Sequence, residues 1–190
     1  LLVEAAGPEE RAIAYLGQEV PRWSRENRCF SCHNNGDAAR ALYAARRLAY
    51  QVPEDALADT TQWLMRPFEW DNSPGDPRFS DKKLARIQFA ASLGEAFDAG
   101  LIRERKFLVQ AAESLLAHQD QDGCWRVDAE AAAGSPVTYG PALATYMARR
   151  ALQKAGEARF AGPIARADRW LLAAPMSSML DAAVAILALK

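Results

Sequence analysis

Only three cysteines and two histidines occur in the 190 residues. Three cysteines cannot build the framework of bridges that staples small secreted domains. No apolar run approaches the roughly 20 residues needed to span a bilayer, and no basic-then-apolar signal segment is present. Basic and acidic residues nearly balance, 23 against 24, for a net charge of −1. Neither a field for nucleic acid nor a polybasic patch for a membrane surface follows from that balance. β-Branched residues are sparse, and no convincing alternating strand pattern occurs. The chain also begins without Met, at Leu1-Leu2-Val3. It therefore reads as a mature or trimmed product whose targeting segment lies elsewhere.

What is abundant is alanine, about a fifth of the residues, which favours helix throughout and an all-α fold in a single domain over residues 1–190. Pro8, Glu9 and Glu10 make a helix start, with Pro near the first position and carboxylates at the positive dipole end. Ile13, Leu16, Val20 and Trp23 follow as one apolar stripe, ended by the polar run Arg25 to Arg28. Asn34-Asn35-Gly36 is a turn signal, and Asp37 can cap a second helix carrying Leu42, Ala45 and Leu48. A third helix opens at Pro53-Glu54-Asp55, ends near Trp63-Leu64-Met65 and is stopped by Pro67. After a loop from Phe68 to Phe79, Ser80 can cap the fourth, with Leu84, Ile87 and Ala91 inward and Gly100 at its end. The fifth runs from about Arg103 to His118 on the stripe Leu108, Ala111, Leu115. Beyond a loop of about twenty residues come a sixth (Pro141 to Lys154, closed by Gly156), a seventh (Ile164 to Leu172) and an eighth from Ser178. Four helix pairs at a period of about 45 to 55 residues form a helical-hairpin array; an irregular bundle with hairpins of similar length is the alternative.

The chemistry is concentrated in Cys29-Phe30-Ser31-Cys32-His33, within the first hairpin loop (residues 25–37). Cys-x-x-Cys-His is the attachment sequence for c-type haem. Two thiols on one tight turn reach the two vinyl groups at one edge of the porphyrin, and the adjoining imidazole binds the iron. With so few Cys and His, chance ordering gives the pattern on the order of once in two thousand chains. The same pair could instead form a Cys29–Cys32 disulfide, a thioredoxin-like redox couple or half a zinc site. The expected cofactor is one covalent haem c, held by Cys29 and Cys32, with His33 as proximal iron ligand. Maturation of that kind takes place outside the cytoplasm, so the expected location is extracytoplasmic, periplasmic or equivalent.

Hairpin three carries a second signature, Leu115-x3-Gln119-x3-Gly123-x-Trp125. This resembles the repeat of the terpenoid cyclase and prenyltransferase α/α toroids. The resemblance implies that Gln119 stacks with Trp125 and satisfies the end of a neighbouring helix. Gly123 permits the turn and Trp125 plugs the loop. The other hairpins keep only Tyr15-Leu16, Trp63-Leu64 and Trp170-Leu171, and Ser114 stands where the motif has an aromatic. With Cys-x-x-Cys-His in the first hairpin, and Asn27 to Leu42 around it, the chain resembles the haem-bearing, squalene-cyclase-like proteins of planctomycete bacteria. Such relatives look longer, which implies an incomplete or open ring, a fragment of a longer toroid. No Asp-x-Asp-Asp acid of the cyclases occurs. Of the prenyltransferase zinc ligands only Asp122-Gly123-Cys124 is matched, with no His after it, so Cys124 reads as a free, partly buried thiol. No catalytic residue is assigned.

Two residues are candidates for the distal side of the iron: Met65, on the next hairpin, and His118, the only other His. Each has an ordinary structural role too, as core filler or as a helix-terminal cation. Phe68, Trp70 and Phe79 could cover the porphyrin face or anchor their loop. Arg22, Arg25 and Arg28 could meet the propionates or lie on a solvated face. The expectation is a mono-haem cytochrome transferring electrons to a redox partner protein. A five-coordinate haem enzyme or gas sensor, and a partner-binding scaffold with a structural haem, are the alternatives.

Overall fold

The computed structural model describes residues 7–72, 82–127 and 135–189, with the side chains of 135–138 left aside. Helices α1 (Pro8–Asn27) and α2 (Ala39–Arg47) flank the first hairpin loop, where a π-helical turn spans Cys32–Ala38. A 3-10 turn (Glu54–Ala56) leads into α3 (Ala58–Leu64), and another (Pro67–Asn72) follows it. Then come α4 (Lys82–Asp98), α5 (Lys106–Leu116), α6 (Ser135–Ala155), α7 (Ala161–Ala173) and α8 (Met179–Ala188). Among the described residues there is no strand.

Packing sorts the helices into two rows. The even members touch in sequence, α2 on α4, α4 on α6, α6 on α8. The odd members back them: α1 contacts α2 and α3, α5 contacts α6 and the 3-10 turn after α3, and α7 contacts α6 and α8. This is the helical-hairpin array expected from the repeat period. The inner row explains the alanine content. Ala90 and Ala96 of α4 and Ala144, Ala148 and Ala151 of α6 are buried, and short side chains let neighbouring helices approach closely. Helix α4 is buried nearly all round, from Leu84, Ile87 and Phe89 to Leu93, as a helix with neighbours on several sides must be.

Boundaries mostly follow the expected start and stop residues. Gly100 and Gly156 end α4 and α6 in the left-handed conformation, at φ 74° and 72°. Ser178 caps α8 by accepting from the Asp181 N–H. Gly140 (φ 62°) breaks α6, so its continuous part begins beside Pro141 as read from sequence. Ser80 and Phe79 lie outside the described residues.

Two expectations need correction. Asn34-Asn35-Gly36 is not a turn, and Asp37 does not cap α2. The helical segment starts six residues earlier, capped by Ser31, whose Oγ accepts from the Asn34 N–H at 2.9 Å. The Asn35 side chain reciprocates, accepting from the Ser31 N–H at 2.9 Å. Widened hydrogen bonds, such as Gly36 N–H to Ser31 O at 3.2 Å, take up the residues that a separate turn would have used. At the edges, Leu48 and Trp23, read as core-facing, are substantially exposed. The last hairpin likewise leaves Leu172, Met176, Met179, Ile186 and Leu189 exposed.

Candidate functional site

The Cys-x-x-Cys-His run leads from the end of α1 into the π-helical turn, whose first two residues are Cys32 and His33. Arg28, at φ 49°, closes α1 in the left-handed conformation and redirects the chain into Cys29. Cys29 and Cys32 are not joined in a disulfide, and both are half-buried. His33 is exposed, with its Nδ1 3.3 Å from Cys32 Sγ. The motif does not sit on the one helical turn expected from sequence: Cys29 lies in the bend before the Ser31 cap, and Cys32 and His33 lie in the first turn after it.

Helices α3 and α4 hold this turn in place. From α3, Thr60 Oγ1 accepts from the fully buried Asn35 side chain at 2.9 Å, so both ends of that amide are satisfied. Trp63, also from α3, lies flat on Phe30, with ring centroids 4.6 Å apart and planes 5° from parallel. Its edge meets Phe89 of α4 at 6.1 Å. Helix α4 approaches closely at Gly36, where a Cβ would stand 3.1 Å from Gln88 Cβ. The Gln88 amide donates to Asp37, whose other oxygen is 3.2 Å from the Arg40 guanidinium. Burial raises the Asp37 pKa, opposed by Arg40, the Gln88 bond and the His33 charge.

A residue that sequence reasoning missed comes from α6. Tyr139 is buried and electrostatically coupled to Asp37, Arg40 and Cys32, and burial pushes its phenol well above the usual range. It lies about a hundred residues from the motif, so no local signal marks it. Asn35 was missed for the opposite reason, because Asn-Asn-Gly is a strong turn signal. The Ser31 cap was legible as Ser three residues before an Asn.

Met65 and His118 occupy different surroundings. Met65 caps the C-terminus of α3 and packs half-buried against the core, two residues from the Trp63 that touches the motif. His118 stands at the end of α5, where Arg86 donates to its Nε2 and to the Asp71 carboxylate. An arginine can only donate, so Nε2 is the acceptor and the proton sits on Nδ1. The expected covering loop divides as well. Trp70 is buried, donating to the Trp63 carbonyl at 3.3 Å, and so anchors the loop. Phe68 is 70% exposed. Arg22 is engaged with Glu19 at 2.6 Å on the solvent face of α1, and Arg25 and Arg28 are exposed.

The hairpin-three signature forms one interlocked unit. Trp125 Nε1 donates to the Leu115 carbonyl at 2.9 Å, and Gln119 Nε2 reaches the Gly123 and Pro163 carbonyls at 3.1 and 2.9 Å. The Gln119 amide therefore ties the loop to the start of α7. Cys124 is buried, with Thr145 donating to its sulfur at 3.5 Å, and burial pushes its thiol pKa up. Asp122 is taken up by Arg126, which holds its carboxyl below the usual range. Among the described residues, no three His, Cys, Asp or Glu side chains gather to hold a metal ion. No helix among them is long and apolar enough to cross a membrane. No protein-family model, curated protein or solved structure matches this chain.

Proposed function

We propose that this protein is a mono-haem c-type cytochrome, with one haem attached through Cys29 and Cys32, His33 as proximal ligand, and electron transfer as its role. One observation carries the reading: the attachment sequence straddles a helix start capped by Ser31, with Cys29 and Cys32 not joined in a disulfide and the imidazole exposed. The residues present fit the group. The donor set is two thiols and an imidazole at the required spacing. A buried donor next to the motif, Trp63 Nε1, has no partner within the protein.

When bound, haem supplies a one-electron ferric/ferrous couple. The chain's own contribution is rigidity. Asn35, Gly36 and the Phe30–Trp63 stack tie the turn to α3 and α4, so its geometry changes little when charge moves. Of the two distal candidates the reading takes Met65. It belongs to the helix that packs on the motif, whereas His118 already has its Nε2 engaged by Arg86. The likeness to haem-bearing, squalene-cyclase-like proteins is kept within this proposal. It rests on Leu115, Gln119, Gly123 and Trp125 together with Cys29, Cys32 and His33 in the first hairpin and the run from Asn27 to Leu42 around them. An extracytoplasmic location and a redox partner protein follow from the same chemistry.

The test is expression in a host able to attach c-type haem. A Soret-absorbing pigment that stays with the polypeptide after denaturation, and is lost in Cys29→Ala/Cys32→Ala, supports the reading. A colourless protein, or a pigment released by denaturation, overturns it.

A further inference from the structure

The three buried tryptophans among the described residues treat their indole N–H groups differently. Trp70 donates to the Trp63 carbonyl and Trp125 to the Leu115 carbonyl, as buried indoles ordinarily do. Trp63 is 6% exposed and its Nε1 has no acceptor. The ring cannot turn to find one, because Phe30 covers a face and Phe89 meets it edge-on. An indole nitrogen is a donor only, so what it lacks is an acceptor. A cation stands nearby: the Arg66 guanidinium is 5.9 Å from the centre of the same ring. Its present partner, Glu69, is half exposed, so that pair exchanges readily with another anion. A fixed donor and an exchangeable cation are together suited to a carboxylate.

We infer that Trp63 is a positioning residue for a haem propionate, donating its indole N–H to the carboxylate with Arg66 as the neighbouring cation. The inference rests on the haem reading, because the residue Trp63 stacks on is the one that separates Cys29 from Ser31 in the attachment sequence. A hydrogen bond to a propionate draws negative charge away from the iron and disfavours the ferric state. Trp63 would thereby raise the reduction potential as well as orient the ring.

Ultraviolet resonance Raman on wild type minus Trp63→Phe isolates the indole band that reports N–H hydrogen bonding. In the ferrous holoprotein the Trp63 band is expected at the bonded position. In haem-free Cys29→Ala/Cys32→Ala, with and without Trp63→Phe, it is expected at the unbonded position. Trp63→Phe and Arg66→Gln should each lower the potential of pigmented protein. An unbonded band in pigmented protein, or potentials unmoved by both substitutions, overturns the anchor and leaves the haem reading standing. Absence of covalent pigment overturns both. Should Trp63→Phe fail to fold, Arg66→Gln alone decides through the potential.

Discussion

Gly123 lies against the main chain of Arg166: a Cβ added to it would stand 2.4 Å from the Arg166 carbonyl oxygen. Arg166 also donates to Gln119 Oε1 at 2.6 Å. Hairpins three and four are thus joined at one place by a side-chain amide and a close backbone approach. The spacing of Gln119 and Gly123 follows from that geometry, since both must face the first turns of α7.

Gly123→Ala should therefore cost about 3 kcal/mol, combining a side chain at φ 100° with a clash against backbone that cannot yield. Gly100→Ala is the control. Its φ is also positive, but nothing lies within 4 Å, so only about 1 kcal/mol is expected. Urea unfolding of both variants measures the difference, and equal losses would refute the role assigned to the Arg166 contact.

At the motif, Gly36→Ala places a methyl 3.1 Å from Gln88 Cβ, between two helices already in contact. A loss of about 1–2 kcal/mol is expected, with a parallel drop in the yield of covalent pigment. Unchanged yield would mean that haem attachment does not depend on how α4 seats this turn.

Met65→Leu should convert a low-spin, six-coordinate ferric spectrum into a high-spin one and open the ferrous iron to rapid carbon monoxide binding. His118→Ala should leave both properties as they are. The reverse pattern would transfer the distal role to His118.

For His118, burial first and the Arg86 and Lys83 charges next hold the pKa below the ordinary 6.5, with Asp71 pulling the other way. Because the folded value lies below the unfolded one, the stability gained from a neutral ring is present above about pH 6.5 and lost as pH falls. Ring-proton NMR should show His118 titrating below 6.5 and moving upward in Arg86→Gln. A pKa insensitive to that substitution would leave burial and the Lys83 charge as the causes.

Tyr43 sets an alkaline limit. Its hydroxyl is buried and bonded to Thr61 Oγ1 at 2.8 Å, and burial pushes its pKa well above the ordinary 10.0. The folded state keeps the phenol neutral while the unfolded chain ionises, so stability should fall as pH rises above about 10. Tyr43→Phe should cost about 1 kcal/mol at pH 7 and flatten that decline. Tyr139, raised for the same reason, keeps the slope from vanishing. An unchanged slope in Tyr43→Phe would show that Tyr43 does not drive the alkaline loss.

Much of the fold was legible because its signals are local. Stripes such as Leu108, Ala111 and Leu115, and stop residues such as Gly100 and Gly156, report on neighbours within a turn or two, and the structure buries or bends them as expected. The misreading at Asn34-Asn35-Gly36 has a physical cause. Local turn preference, worth about 1 kcal/mol per residue, is outweighed when Asn35 buries both ends of its amide and Gly36 admits α4. Trp63 was noticed as a repeat fragment and not as a neighbour of the motif, since contact between residues 30 and 63 arises only when α3 folds back on the first hairpin.

By itself the sequence determined the helices, their pairing into hairpins and the spacing of Cys29, Cys32 and His33, all set by periodicity and bond geometry over a few residues. Tertiary structure alone decided what surrounds that turn. Trp63 comes from α3, Gln88 from α4 and Tyr139 from α6, and the unpartnered indole of Trp63 exists only because Phe30 of the motif and Phe89 of α4 lock its ring in place. Contacts between distant segments depend on how whole helices pack, and no short stretch of sequence encodes them.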